Sequence, residues 1–110
     1  MNEPTERITT HPGALLLEQI HELGLTVNVL AQDLDLPATR LHDIVHKRRG
    51  VSAETAIALG EYFDQTPEFW MNVQKAHELS RELVMNGKEI RSRLRRHARD
   101  HVDELKPARV

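Results

Sequence analysis

Cysteine is absent from this sequence of 110 residues, and the aromatic residues are only two Phe, one Tyr and one Trp. The lack of cysteine excludes a disulfide framework and a thiolate metal site. No apolar run is long enough to span a membrane, and no signal-peptide core follows Met1, so we expect a cytoplasmic protein. With 39% hydrophobic and 29% charged residues, the composition favours a single helical domain over a β-sandwich or a disordered chain.

The formal net charge of −2 conceals a strong segregation of charge along the chain. Residues 38–49 carry four basic side chains and one acidic one, and residues 86–110 carry eight basic and four acidic ones. Residues 1–37 and 50–85, in contrast, each carry six acidic side chains and no more than two basic ones. A basic patch in an acidic protein is typical of contact with a polyanion such as nucleic acid, although a solvated charged face would have the same composition.

The spacing of apolar residues predicts an all-α protein of five helices. The first helix begins at His11 and Pro12, because proline fits the first helical position, and it stops at Gly24. Thr26 is the predicted N-cap of the second helix, which ends near Leu34. One face of the first helix is predicted to be buried through Leu16, Ile20 and Leu23.

A turn joins the second helix to the third, and Asp35 in this turn is expected to take the left-handed conformation. The third helix then runs from Pro37 or Ala38 to His46. Ser52 is the predicted N-cap of the fourth helix. Gly60 inside that helix indicates either close packing against another segment of backbone, which we favour, or a local weakness of the helix.

The fifth helix starts at residues 66–68, Thr-Pro-Glu, and is long and amphipathic. Asn86 and Gly87 are expected to end or kink it, before a basic segment that is either helical or flexible. We therefore divide the chain into a flexible N-terminal arm (1–10), a helix-turn-helix domain (11–85) and a basic C-terminal tail (86–110).

Residues 26–49 have the pattern of a helix-turn-helix, in which the second helix of the motif enters the major groove of DNA. If Leu41 and Ile44 are buried, the helical period places four polar residues on the outward face. We predict that these residues read bases: Thr39, His42, Asp43 and His46. The histidines are expected to donate to guanine or phosphate, and the aspartate to accept from cytosine. The residues predicted to bind backbone phosphates are Thr26, Arg40, Lys47, Arg48 and Arg49.

The chain from residue 11 to about residue 79 resembles the HigA/VapI-type antitoxins, a branch of the lambda-repressor-like (XRE) helix-turn-helix proteins. The resemblance is carried by HPGALLLEQI, LGLT, LAQDLDLPATRLHDIVHKRRGVSAETAIALGEYF and TPEFWMNVQ, of which the last is the most specific. It implies a five-helix lambda-repressor-like domain that acts as a homodimeric repressor at an inverted-repeat operator of its own operon. It also implies a partner, a small RelE/HigB-like ribonuclease toxin that the antitoxin binds and silences.

Several residues depart from the family pattern. Val27 stands where a polar residue, commonly Gln, often contacts a phosphate. Asp35 replaces the usual glycine of the turn, and Lys47 stands where Gly is common. His42 and His46 stand where Asn is common, so the operator sequence and the pH dependence can differ from those of relatives.

Two other functions are compatible with parts of the sequence. His42 and His46 lie one helical turn apart around an acid, which approaches a zinc-protease signature, but the acid is Asp, no third ligand is evident and the neighbouring cations oppose a divalent metal. No nucleophilic triad or phosphate-binding glycine loop is present, so we predict neither an enzyme nor a cofactor. The second interpretation is a stand-alone XRE-type regulator that has no toxin partner.

Phe69, Trp70 and Val73 are predicted to lie in the core around the fifth helix or at the dimer interface. The core is favoured for both aromatic residues, with one edge of Trp70 near the contact between protomers.

Overall fold

The computed structural model describes residues 7–100, with the backbone alone described for residues 95–100. Five helices follow one another along the chain: α1 (Pro12–Glu22), α2 (Val27–Leu34), α3 (Ala38–Val45), α4 (Ala53–Phe63) and α5 (Pro67–Asp100). Residues 7–100 contain no strand, so the predicted all-α fold of five helices is confirmed. None of these helices is both long enough and apolar enough to cross a membrane.

Side chains at the predicted caps determine where the helices begin. Thr26 Oγ1 accepts a hydrogen bond from the amide of Val29 at 3.1 Å, and Ser52 Oγ accepts one from Thr55 at 3.4 Å. At the start of α1, His11 Nδ1 accepts from the amide of Gly13 at 2.8 Å. Each contact satisfies an amide that has no partner within its helix, so the predicted caps of α2 and α4 are confirmed.

The first four helices all end in the same left-handed turn. The left-handed residues that follow α1, α2, α3 and α4 are, in that order, Gly24 (φ 68°), Asp35 (φ 55°), Lys47 (φ 64°) and Asp64 (φ 58°). In each case the next amide donates to the carbonyl five residues earlier, as from Leu36 to Ala31 at 3.0 Å. This Schellman arrangement satisfies carbonyls that the helix end would otherwise leave unpaired. The left-handed conformation predicted for Asp35 is confirmed.

The core gathers apolar side chains from all five helices, and its largest fully buried members include Leu16, Ile20, Leu30, Leu41, Ile44, Leu59 and Trp70. Leu23 was expected on the buried face of α1 but is 57% exposed, because α1 ends at Glu22 and the chain turns away at Gly24. A Cβ atom on Gly60 would lie 2.5 Å from the carbonyl oxygen of Gln65, so the close backbone packing predicted there is confirmed.

The 34 residues of α5 form one helix that packs on α4 and α1 and is about 50 Å long. Of the two outcomes expected at Asn86 and Gly87, an end of α5 is wrong, because the helix continues to Asp100. The basic segment is therefore helical as far as it is described, and residues 101–110 of the predicted tail lie outside the described residues.

The segment before α1 is attached to α5. Thr9 donates its amide to Ser80 Oγ at 2.9 Å, and its carbonyl accepts from His77 Nδ1 at 2.8 Å. The last residues of the predicted flexible arm are thus held by hydrogen bonds that the sequence did not indicate, while residues 1–6 lie outside the described residues.

Candidate nucleic-acid interface

The packing of α2 against α3 decides which side of α3 faces outward. Leu30 and Ala31 of α2 and Leu41 and Ile44 of α3 are buried in the shared core. On the other side of α3 the structure brings together the four predicted base readers. Thr39 and His46 are exposed, and His42 and Asp43 are half-buried. An outward polar face of this kind is what a helix needs to contact base edges in a major groove.

Hydrogen bonds to the protein fix which nitrogen each histidine of α3 can offer. His46 Nδ1 lies 2.7 Å from the carbonyl oxygen of His42, which can only accept, so Nδ1 carries a proton. His42 Nε2 lies 2.9 Å from Asn28 Oδ1 and donates to it. The neutral rings therefore present His46 Nε2 and His42 Nδ1 as acceptors. The donor role expected of both residues requires a second proton on each ring.

Two of the predicted DNA contacts are engaged in ion pairs. The guanidinium of Arg48 meets Asp43 Oδ1 through its Nε at 3.0 Å and an NH2 group at 2.9 Å. Arg40 reaches Glu54 in the first turn of α4 at 3.0 Å. Arg40 thereby ties α3 to α4. The Asp43–Arg48 pair uses only Oδ1 of the carboxylate and two nitrogens of the guanidinium, so Asp43 Oδ2 and the remaining nitrogen of Arg48 can still contact DNA.

Three consecutive cations, residues 47–49, follow α3 and are all exposed. We call them the basic turn. Lys47 is the left-handed residue that ends α3, which explains why glycine suits this position. Thr26 is also exposed, and because its oxygen accepts from Val29, its hydroxyl proton can be donated outward. The basic turn therefore follows the end of the helix that carries the base readers, whereas Arg40, the fourth cation predicted to bind phosphates, lies against α4.

A groove of about 740 Å³ separates the basic turn from α5 and contains the ring contact of His11 with His77. The two imidazoles meet edge to face, with centroids 4.8 Å apart. Burial lowers the pKa of His11 below its ordinary value of 6.5, and the nearby charges of His77 and Lys47 lower it further. Protonation of His11 is thus disfavoured where positive charge is already concentrated.

The histidine pair on α3 does not form a metal site with its neighbours. The rings of His42 and His46 are stacked with centroids 6.2 Å apart. Across the residues that the structure describes, no three His, Asp or Glu side chains are grouped so that they could hold a metal ion.

The aromatic residues at the start of α5 occupy different environments. Trp70 is fully buried, and its indole N–H donates to Gln65 Oε1 at 2.9 Å. Phe69 is not in the core, where the sequence interpretation favoured placing it, but is 37% exposed. Consecutive residues of a helix point in directions about 100° apart, so Phe69 and Trp70 cannot both face the core. Phe69 and Val73 instead line a shallow apolar groove against α1.

Sequence reasoning missed three residues that hold this surface in place. Asn28 positions His42, Glu54 binds Arg40, and Gln74 Oε1 accepts the amide of Val51 at 2.7 Å just after the basic turn. Asn28 and Glu54 lie in the first turns of their helices, where a polar residue is common for local reasons and so gives no signal of a distant partner.

No protein-family model matches the chain. Virulence-associated protein I of Dichelobacter nodosus is 37% identical over 70 residues, which are 63% of this chain and 65% of that protein, so the match spans less than two thirds of this relative. The HTH-type transcriptional regulator YbaQ of Escherichia coli K12 is 33% identical over 79 residues, 72% of this chain and 70% of that protein. The structure of antitoxin HigA from Pseudomonas aeruginosa with the higBA promoter is 40% identical, with a TM-score of 0.73, over 76% of this chain and 91% of that chain.

Proposed function

Because this chain belongs to the HigA family of helix-turn-helix antitoxins, we propose that it is a DNA-binding autorepressor that also neutralises a small RelE-like ribonuclease toxin. The observation that carries the DNA-binding part is the outward polar face of α3, which leads directly into the basic turn. The relative from Pseudomonas aeruginosa, with the same fold, has its promoter DNA bound. In this function the chain acts in the cytoplasm, without a cofactor and without catalysis of its own.

The two groups of residues have different tasks on the operator. Thr39, His42, Asp43 and His46 read base edges, and in their neutral form the histidines accept from the amino groups of adenine or cytosine. Residues 47–49 and Thr26 bind phosphates and so supply affinity that does not depend on base sequence. Arg40 contributes by holding α3 on α4 through one guanidinium nitrogen, and its other N–H groups can donate to a phosphate.

A homodimer supplies the specificity that one protomer lacks. The eight residues of α3 extend over about 12 Å, enough for only a few base pairs. Two copies related by a twofold axis would read two half-sites about 34 Å apart, which is one turn of DNA. The operator is therefore an inverted repeat.

The phosphate assignment is tested with Lys47→Ala. We expect weaker binding to operator and to unrelated DNA alike, and a salt dependence reduced by about one unit per protomer, since one phosphate contact is lost. Fluorescence anisotropy over a salt series measures both quantities. Lys75→Ala is the matched control, because Lys75 is an exposed cation on α5 that takes no part in this surface. An unchanged salt slope for Lys47→Ala would disprove the assignment.

The base-reading assignment is tested with Thr39→Ala and His42→Ala. Each is expected to relax the preference at one operator position by about 1–3 kcal/mol, while the salt slope stays unchanged. Selection from a randomised operator shows which position changes. An equal loss of affinity for all sequences would instead assign these residues to the backbone or to folding.

The toxin part is tested by co-expressing the chain with the product of the neighbouring gene. Recovery of a stable complex and relief of growth inhibition are the expected results. The alternative, a stand-alone XRE-type regulator, is favoured by the likeness to YbaQ, a transcriptional regulator by name. The stand-alone interpretation predicts that the chain binds the operator, that no complex with the neighbouring gene product is recovered, and that co-expression does not change growth.

A further inference from the structure

Asn28 brings a side chain of α2 to the outward face of α3. Its Oδ1 lies 2.9 Å from His42 Nε2, so the hydrogen bond joins the two helices of the motif. Asn28 is exposed, and the cap of α2 is formed by Thr26 and the amide of Val29. Neither the core nor the start of the helix therefore requires an amide side chain at position 28.

The contact with Asn28 decides which nitrogen of the His42 ring is available. A carboxamide oxygen can only accept, so Nε2 carries the proton of the neutral ring and Nδ1 is left as an acceptor. In the described part of the chain, no side-chain nitrogen or oxygen is buried without a hydrogen-bond partner. His42 is half-buried and its Nδ1 has no partner among these residues, so this nitrogen reaches solvent.

The ring of His46 is held in the opposite form, and its form does not depend on α2. Its Nδ1 donates to the carbonyl of His42 one turn earlier on the same helix, so Nε2 is its acceptor. The two rings stack with centroids 6.2 Å apart and an angle of 24° between their planes. The neighbouring histidines thus present different nitrogens, and that of His42 is set by another helix.

We propose that Asn28 is a specificity-determining residue of the operator interface, which acts by holding His42 with Nδ1 as an acceptor. An acceptor in the major groove selects the amino group of adenine or cytosine. A ring that donates from Nδ1 would instead select the acceptors of guanine or thymine. Asn28 is therefore a positioning residue that acts through the ring of His42, and the inference rests on the proposed DNA-binding function.

An amide suits this task better than a carboxylate does. A carboxylate at position 28 would also accept from His42 Nε2, but its charge would favour a second proton at Nδ1. That proton turns the acceptor into a donor and so changes the base that is read. A carboxylate would also repel the phosphates of DNA, whereas the neutral amide of Asn28 accepts the same proton without either effect.

The tautomers can be observed directly in the free, full-length chain. Two-bond proton–nitrogen correlation spectra distinguish protonated from bare ring nitrogens, and about pH 8.5 lies well above the ordinary histidine pKa of about 6.5. We expect the proton at Nε2 in His42 and at Nδ1 in His46. Asn28→Ala should raise the fraction of His42 that is protonated at Nδ1 and leave His46 unchanged. A wild-type His42 protonated mainly at Nδ1 would overturn the proposal.

Selection from a randomised operator measures the effect on base preference. The position read by His42 is identified as the one that changes in His42→Ala. Asn28→Ala should reduce the preference for adenine or cytosine there by about 3- to 10-fold, the effect of about one hydrogen bond. In the His42→Ala background the same change should alter the preference by less than about 2-fold, because the effect passes through the ring. Equal effects in both backgrounds would overturn the positioning role.

Two further variants distinguish positioning from a contact with the DNA backbone. Asn28→Asp at about pH 8.5 should retain the base preference, because a carboxylate also accepts from Nε2, while affinity for every sequence falls. Gln32→Ala is the matched control and should leave the preference unchanged. Gln32 is an exposed amide residue of α2 whose side chain forms no hydrogen bond within the described residues. A loss in Asn28→Ala that is equal for all sequences would assign Asn28 to a phosphate and overturn the inference.

The outcomes separate this inference from the proposed function. A wild type that binds its operator with a base preference unchanged in Asn28→Ala overturns the role of Asn28 alone. A wild type that binds none of the selected sequences overturns both, even if the spectra show the expected tautomers. Circular dichroism verifies that each variant remains folded, so a changed preference reflects the interface.

Discussion

The two sides of α5 differ in what they require from the rest of the protein. On the side that faces the other helices, Trp70 is fully buried and its indole N–H donates to Gln65. Gln74 is also buried, and its side-chain amide binds Val51 and Glu78. On the opposite side of α5, Leu79, Leu83 and Leu94 are exposed aliphatic residues, and together with Gly87 and Ile90 we call them the far stripe.

This difference distinguishes a surface that fixes the fold from one that contributes little to it. Polar groups on the inner side need specific partners, because a buried donor or acceptor without one is costly. Aliphatic side chains need only exclusion from water, which a second chain can provide as well as the first. Changes on the inner side should therefore alter the stability of the protomer more than changes on the far stripe do.

The largest effect is expected for Trp70→Ala. Removing a fully buried indole leaves a cavity, so the free energy of unfolding should fall by about 3–5 kcal/mol. Urea denaturation followed by circular dichroism measures the change. Phe69→Ala, in the adjacent and 37% exposed position, is the matched control and should cost much less. Equal losses for the two variants would contradict the assignment of only Trp70 to the core.

A smaller effect is expected for Gln74→Leu. The leucine fills similar space but leaves the amide of Val51 buried without an acceptor, which should cost about 1–3 kcal/mol. Glu78→Gln is the control, because Gln74 can keep its bond to Val51 when its second partner changes. A stability equal to that of the wild type would show that water or another group replaces the lost acceptor.

Local interactions could be predicted from the sequence, whereas contacts between residues distant in sequence could not. Caps, left-handed turns and helical periodicity are local, and they located all five helices and the outward face of α3. Partners distant in sequence, such as Asn28 for His42 or Ser80 for Thr9, leave no periodic signal and were missed. Gly87 suggested an interruption because the helix propensity of glycine is low. Its cost relative to alanine is only about 1 kcal/mol, which the neighbouring helix formers outweigh.

The pH dependence of stability should depend on His11 at the inner side of α5. Burial, and then the charges of His77 and Lys47, lower the pKa of His11 in the folded protein below 6.5, its ordinary value. The unfolded chain therefore binds this proton first as the pH falls, and stability decreases below about pH 6.5 until the folded protein is protonated too. Protonation at Nδ1 would also remove the acceptor that caps α1.

Urea denaturation at about pH 7.5 and 5.5 tests this effect, since the two values lie on either side of the ordinary histidine pKa. His11→Asn keeps a side-chain acceptor at the cap and should reduce the loss of stability at the lower pH. His21→Asn, which changes an exposed histidine of α1, should leave that loss as it is in the wild type. An undiminished loss in His11→Asn would place the responsible group elsewhere.

The smallest effect on a single protomer is expected for Leu94→Gln. Leu94 is 64% exposed, so the free energy of unfolding of dilute protein should change by less than about 0.5 kcal/mol. Urea denaturation followed by circular dichroism measures the change. A large loss of stability would show that Leu94 supports the fold of its own protomer.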